Sequence, residues 1–477
     1  MPRFHTVNFG CRASQADGAV LEAELCQRGF QAVADPAQAD FVVLNSCTVT
    51  GAADAELRQI ARRIHRENPA ARILVTGCYA QRSPQELAAL PGVEWVVGNS
   101  HKGDIGQLLA DECSPARPRN QFVSLQALTG NPRQSLEAEY HSLGATLPGA
   151  FSSAPKVLVG NIFNQTQFAT APVFAGPALD RTRPNLKVQD GCNNRCSFCI
   201  IPSVRGRSRS LPLPDVLNHV RALSAMGYRE VVLSGINLGR YGRDLPVKLR
   251  LAHLVQKVLE ETPVERLRLS SVEPMDFTDE LLDLMAATPR IARHVHAPLQ
   301  SGSDRILRRM HRKYHPQNYR ERILAAYQRM PEAAFGADVM VGFPGETEED
   351  FEATRALIES LPFTYLHVFP FSRRPGTPAD RMPGQVNGAV VRERSSILRE
   401  LSAKKNRRFR ERQLGVSLTV LTLEELEEGG TPALSDNYLK VLIAGDRLPA
   451  NQLVPVQIVA LTEDSLLGQR VASQVVS

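Results

Sequence analysis

Tryptophan is nearly absent from this chain of 477 residues, with a single copy, and aromatic residues make up only 6%. Rows of stacking aromatics, the usual platform for single-stranded nucleic acid, are therefore not written into it. No apolar run approaches the ~18 residues that a membrane span requires, and the opening MPRFHTVNFGCR lacks the apolar core of a secretory leader. The expected setting is the cytoplasm, with no membrane partner. Cysteine is scarce as well: eight copies are too few for a disulfide scaffold, which a reducing compartment would also disfavour. Glycine and proline, 32 of each, sit near ordinary usage and exclude a collagen-like or wholly low-complexity chain. Charge of one sign is lacking too, since the net +6 permits a polyanionic partner without requiring one.

What is there is length enough for two to four domains at ~100–200 residues each. Up to residue 113, strand-like segments (His5–Phe9, Phe41–Leu44, Arg72–Thr76, Glu94–Val97) alternate with helical ones (Gln15–Arg28, Ala55–Glu67, Gln85–Leu90), which predicts a parallel α/β sheet. Residues 114–183 are poor in charge, rich in proline and without a sustained period, and are expected to form a linker or insertion. From Leu186 the alternation resumes. Candidate strands are Leu186–Gln189, Glu230–Leu233, Arg266–Ser270, His294–Pro298, Asp338–Val341 and Tyr365–Phe369. Helical spacing separates them over Pro214–Met226, Leu249–Glu261, Thr278–Ala287, Asp304–Met330 and Thr347–Leu361. Six such units over 184–410 predict a six-unit βα partial barrel, with a capping box at Thr347 and Asp350. A basic helix, Val391–Gln413, leads into 411–477. There Val416–Leu423, Tyr438–Ile443, Val454–Ala460 and Gly468–Val476 read as the strands of a small β-barrel.

The cysteines divide by position. Cys192, Cys196 and Cys199 form C-x3-C-x2-C directly after a strand, at the end of a barrel where active sites lie. Three thiolates fall short of the four ligands of a closed zinc site. They suit an iron–sulfur cube that keeps one iron free, although a zinc completed by a distant histidine, or a chance cluster, also fits the spacing. Cys11, Cys47 and Cys78 each follow a predicted strand of the first sheet, where the carboxyl ends form one crevice. Singly they read as small buried hydrophobes, and together as a shared metal site. Cys26 and Cys113 have no such placement.

The stretch GCNNRCSFCIIP (191–202) closely resembles the signature of the radical S-adenosylmethionine superfamily, and within it the methylthiotransferases. FGCRASQ, LNSCTVT and TGCYAQR resemble that family's domain for a second cluster, and Ser435-Asp436-Asn437-Tyr438 lies in a segment similar to the RNA-binding TRAM barrel. The stretches RYGRDL, RLSSVEPMDF and VFPFSRRPGTPA are most similar to the branch that acts on threonylcarbamoyladenosine in tRNA. Sibling branches act on isopentenyladenosine in tRNA or on an aspartate of a ribosomal protein.

The resemblance implies two [4Fe-4S] clusters, the radical-generating one on Cys192, Cys196 and Cys199 and an auxiliary one on Cys11, Cys47 and Cys78. It also implies S-adenosylmethionine as cofactor, and methylthiolation at C2 of the modified adenosine at position 37, beside the anticodon. Its expected partners are tRNA, an electron donor such as a flavodoxin or ferredoxin, and a sulfur donor, with the chain a monomer. Such chemistry requires the two cysteine faces to oppose each other. A non-catalytic RNA-binding protein holding zinc is the alternative of another class.

Candidate cofactor contacts sit at the other strand ends: Ser234 and Gly235, Ser271 and Glu273, Gln300, and Gly342 in GFPG. Phosphate contacts are expected from Lys404, Lys405, Arg407, Arg408, Arg410 and Arg412, and from Arg205, Arg207 and Arg209 beside the cysteine loop. The competing account of the helix is a solvated face paired with Glu393, Glu400 and Glu411.

Overall fold

The computed structural model describes residues 1–113, 154–166, 182–425, 427, 429–445 and 447–471. Six parallel strands build the first domain: β1 (Arg3–Asn8), β2 (Gln31–Ala32), β3 (Phe41–Ser46), β4 (Arg72–Gly77), β5 (Val93–Gly98) and β6 (Lys156–Leu158), in the order β2-β1-β3-β4-β5-β6. Strand β3 is buried along its whole length. Val42 and Leu44 pack under Leu57, Ala61 and Ile64 of helix Gly51–Glu67, while Phe41 and Val43 pack on the opposite face with Leu21 and Leu25 of helix Arg12–Gln27. Both faces being covered is why FVVL is a continuous apolar run rather than an alternating one. The sixth strand comes from within 114–183; of that expected linker, residues 114–153 and 167–181 lie outside the described residues.

The central domain carries β7 (Asn185–Asp190), β8 (Arg209–Ser210), β9 (Glu230–Gly235), β10 (Arg266–Leu269), β11 (His294–His296), β12 (Ala334–Val341) and β13 (Tyr365–Pro370). The order is β10-β9-β7-β8 and β11-β12-β13; every pairing is parallel except that of the short β8. A bridge from Leu267 to Ile291 joins the two sheets, with the Leu267 N–H donating to the Arg290 carbonyl at 2.7 Å and the Ala292 N–H to the Leu267 carbonyl at 2.9 Å. Six parallel strands in this sequence make the six-unit partial barrel. Val188, Val231, Leu233, Leu267, Leu269, Val295, Ala337, Val339 and Leu366 pack into one core beneath the helices. The alternate residues therefore face the concave side, and they are mostly polar. The capping box forms as expected, the Thr347 N–H donating to Asp350 Oδ2 at 2.9 Å.

The helix expected over Asp304–Met330 is in fact two, Asp304–Arg309 and Pro316–Arg329. Pro316 cannot continue a helix, because it lacks the N–H and its ring clashes with the preceding turn, and His311 takes a left-handed φ of 57° between the two. The break has a use: the Ser197 N–H donates to the Met310 carbonyl at 3.0 Å, which ties this turn to the cysteine loop.

A closed barrel of β14 (Ser417–Thr422), β15 (Gly430–Ser435), β16 (Lys440–Ala444), β17 (Leu453–Leu461) and β18 (Leu466–Arg470), ordered β14-β15-β16-β18-β17, ends the chain. Strand β15, GTPALS, is the one the sequence pattern missed, since its glycine and proline read as a turn.

Fully buried Arg268 joins barrel to core. It donates to Glu230 at 2.7 Å and to the carbonyls of Ser435 and Asp436 at 3.0 Å each. Arg268→Ala is expected to leave Glu230 buried with only Arg266 at 3.6 Å and Arg183 at 3.9 Å. The barrel should then be released, seen as faster limited proteolysis near residue 411 in variant than in wild type. Among the described residues no helix is long and apolar enough to cross a membrane.

The basic runs divide on structural grounds. Arg410 is buried and donates to the carbonyls of Thr462, Glu463 and Ser465, and Lys405 donates to those of Glu359 and Leu361. Both are docking residues rather than the free phosphate contacts expected of them. Lys404, Arg407 and Arg408 remain exposed on helix Gly388–Glu411, as does Arg412 at its C-cap.

Candidate functional site

Cys192, Cys196 and Cys199 sit in the loop between β7 and the short helix Ile201–Arg205. Donors converge on their sulfurs. The Asn194 N–H reaches Cys192 Sγ at 3.4 Å, Asn237 Nδ2 reaches it at 3.7 Å, and Arg312 Nη1 reaches Cys196 Sγ at 3.5 Å. Arg312 is itself held by the Glu273 carboxylate. Burial, then the neighbouring Cys196 and Cys192 sulfurs, pushes the Cys199 thiol up to about 12, and burial raises Cys192 too. Thiols so placed stay protonated until a metal takes the proton's place.

The second set stands at the carboxyl ends of β1, β3 and β4. Cys11 caps helix Arg12–Gln27 and is exposed; Cys47 and Cys78 are buried. Gly10 has no side chain because a Cβ there would stand 2.5 Å from Cys47 Sγ. Burial, then the neighbouring Cys78 and Cys11, pushes the Cys47 thiol up to about 12.

The two sets face each other. Cys78 packs with Ile200, Ile201 and Val204, and Cys192 and Cys199 pack against the same apolar group. Asn99 bridges the faces, donating to Cys78 Sγ at 3.6 Å and to the Val204 carbonyl at 2.8 Å.

Beneath them lies a buried ion network. Asp17 pairs with Lys102 at 3.1 Å, with Arg205 at 3.0 Å and with Lys187, and Asp190 pairs with Lys187 at 2.8 Å and Arg205 at 3.0 Å. Burial opposes ionisation of both carboxylates, yet these cations hold each well below the usual carboxylate range. Arg205 is thus fixed between the domains and is not the RNA contact its position suggested; Arg207 is exposed, and Arg209 donates to the carbonyls of Gln165 and Arg205.

The six cofactor candidates fare differently. Ser234 and Gln300 are buried with Ser234 Oγ and Gln300 Oε1 unpartnered, as is Ser270 Oγ, and Gln300 is held at φ 64°. Buried polar atoms without partners mark space for a ligand. Ser271 is exposed, one residue from the buried Ser270. Glu273 is engaged with Arg312 beside Cys196. The two glycines have local reasons: a Cβ at Gly235 would meet Gln189 at 2.9 Å, and one at Gly342 would meet Val391 at 2.4 Å.

Pattern analysis passed over Asn237, Arg312 and the polar concave wall. On that wall His294 Nε2 and His296 Nδ1 stand 2.7 and 2.9 Å from the Tyr365 hydroxyl, and His296 and His367 approach Asp338 at 3.2 and 3.3 Å. The available signal was polar residues at period two in otherwise apolar strands, HVH and YLHVF.

Among the described residues, His296, Asp338 and His367 form the one group of His, Cys, Asp and Glu whose ligand atoms all lie within 4.8 Å. Neither cysteine triad is that tight. One tetrahedral zinc needs sulfurs about 3.8 Å apart, closer than either triad brings all three of its own. Thiol donors and N–H groups aimed at sulfur fit iron–sulfur ligation.

Residues 186–358 match the radical SAM superfamily, and residues 3–98 match the uncharacterized protein family UPF0004. The chain is 36% identical over 436 residues to the threonylcarbamoyladenosine tRNA methylthiotransferase of Aquifex aeolicus, covering 91% of this chain and 94% of that protein. It is 34% identical over 462 residues to the enzyme of the same name from Bacillus subtilis, covering 95% and 93%. To the tRNA-2-methylthio-N(6)-dimethylallyladenosine synthase of Syntrophobacter fumaroxidans it is 32% identical over 484 residues, covering 98% and 96%. Among solved structures, the radical S-adenosylmethionine methyltransferase TsrM from Kitasatospora setae, with cobalamin and a [4Fe-4S] cluster bound, superposes with a TM-score of 0.54 at 18% identity, over 80% of this chain and 74% of that one. This likeness is one of fold.

Proposed function

We propose, from the premise that this chain belongs to the radical SAM methylthiotransferase family, that it methylthiolates C2 of N6-threonylcarbamoyladenosine at position 37 of tRNA. The observation that carries this is the pair of cysteine triads facing each other across Cys78, Ile200, Ile201 and Val204. Cys192, Cys196 and Cys199 would hold one [4Fe-4S] cluster, and Cys11, Cys47 and Cys78 a second. When bound, these groups supply one-electron reduction of S-adenosylmethionine and the sulfur to be transferred.

The chain's own residues do the rest. Asn194, Asn237 and Arg312 place N–H donors on the first triad's sulfurs, which stabilises added negative charge there. Ser234, Ser270 and Gln300 turn unpartnered oxygens into the concave side and would orient S-adenosylmethionine. Asp17, Lys102, Lys187, Asp190 and Arg205 fix the angle between the two faces, so that a substrate base between them meets both.

Two measurements test this. Anaerobic purification should give about eight iron and eight sulfide per chain; two iron or fewer with stoichiometric zinc would sink it. Nucleoside mass spectrometry of tRNA from a deletion strain should show loss of the methylthio group from threonylcarbamoyladenosine. Loss from the isopentenyl derivative alone would move the chain to the sibling branch.

A further inference from the structure

Arg12 follows Cys11 directly and opens helix Arg12–Gln27. Its guanidinium is half-buried, and among the described residues its one side-chain hydrogen bond is donated to the Tyr438 hydroxyl at 3.3 Å. Among the described residues no carboxylate pairs with it. A half-buried cation whose partner is neutral has an unmet electrostatic demand.

The surroundings deepen that demand. Arg183, Arg266 and Arg268 share the single carboxylate of Glu230 at 3.9, 3.6 and 2.7 Å, with Asp436 the next anion. Arg12, Arg183 and Asn185 line a cavity of about 480 Å3 where the three domains meet, together with the exposed Glu424 and Glu425. The Tyr438 ring lies 4.6 Å from His294 and 5.8 Å from Tyr365, so the hydroxyl that orients Arg12 belongs to the polar concave wall. Burial, then Arg268, His296 and Arg12, holds His294 neutral, which leaves the excess charge on the guanidiniums.

The site therefore offers Arg12, with the Tyr438 hydroxyl beside it, to an anion carried on a polar substituent. An N6 substituent built as a urea ending in a carboxylate has that chemistry; a dimethylallyl group has neither charge nor polar atoms.

We propose that Arg12, oriented by Tyr438, binds the carboxylate of the amino-acid-bearing N6 substituent and selects it over the dimethylallyl one. This rests on the function proposed above. Its position next to Cys11 puts the selecting cation beside the triad assigned to sulfur delivery. A site that pairs a buried polar group with its substrate rejects the analogue lacking that group, because the protein group is then left unpaired.

The test measures equilibrium binding of the holoenzyme to one tRNA in two forms, with threonylcarbamoyladenosine and with unmodified adenosine at position 37. Iron content is checked for each variant. Wild type should prefer the modified tRNA by about 10- to 100-fold, the worth of a charge-assisted hydrogen bond. Arg12→Gln should erase the preference by weakening the modified form alone, and Arg12→Lys should restore most of it. Tyr438→Phe, in another domain from Cys11, should reduce it several-fold.

Equal weakening of both tRNAs by Arg12→Gln would reveal a backbone phosphate contact and overturn the proposal. So would a full preference in either Arg12→Gln or, should that variant lose iron, Tyr438→Phe. Wild type that methylthiolates isopentenyladenosine and ignores threonylcarbamoyladenosine overturns the substrate assignment itself. Wild type active on threonylcarbamoyladenosine, with the preference intact in the variants, overturns only the role of Arg12.

Discussion

Cys78→Ala is expected to reduce methylthiolation of tRNA below detection while S-adenosylmethionine is still reductively cleaved, and to lower iron from about eight to about four per chain. The separation follows from geometry. Cys78 stands at the end of β4 in the first sheet, on the opposite side of the Ile200, Ile201 and Val204 contact from the loop that carries Cys192, Cys196 and Cys199. Its loss removes one ligand of the amino-terminal triad and touches none of the donors to the other, Asn194, Asn237 and Arg312. Deoxyadenosine release and nucleoside mass spectrometry on the same preparation read the two activities separately. Loss of both would refute separate roles for the triads.

Asp17→Asn should have the largest effect on stability. The side chain is 5% exposed and faces Lys102, Lys187 and Arg205, so the amide would leave Lys187 and Arg205 with Asp190 and, among the described residues, Lys102 with no carboxylate. Breaking a buried ion pair from one side costs on the order of 3–5 kcal/mol, because the uncompensated charge stays buried. The first transition in urea should move to lower denaturant. The pH dependence has a definite sign: Asp17 and Asp190 are held below the ordinary carboxylate range in the folded chain. Their contribution is fully present above the unfolded value and is lost as pH falls through the depressed folded value. Wild type should therefore keep its domain interface at acidities where exposed carboxylates have already protonated, and the variant should show a shallower pH dependence there, with only Asp190 left to contribute.

Much of this architecture was legible in the chain. The βα alternation located the main parallel strands to within a few residues, but not the short edge strands β2, β6 and β8. Cys192, Cys196 and Cys199 stand close in sequence, so their convergence needed only a loop. Local signals failed where two uses competed for one residue. The helix through 304–330 breaks at His311 because Pro316 and the contact of Met310 with Ser197 outweigh a continuous apolar period. GTPALS became a strand because barrel closure supplies partners that its turn-like composition does not announce.

By itself, then, the sequence determined the main elements, their order, and which cysteines follow strands, since each depends on periodicity within a few neighbours. Only the tertiary structure decided what the charged residues do. Arg205 and Arg410 read as phosphate ligands and are buried structural cations, whereas Arg12 drew no notice and has, among the described residues, only the neutral Tyr438 hydroxyl as a side-chain partner. Charge along a chain is local, but its compensation is set by groups brought from other domains. Asp17 and Arg205 are 188 positions apart, and Arg12 and Tyr438 are 426 apart.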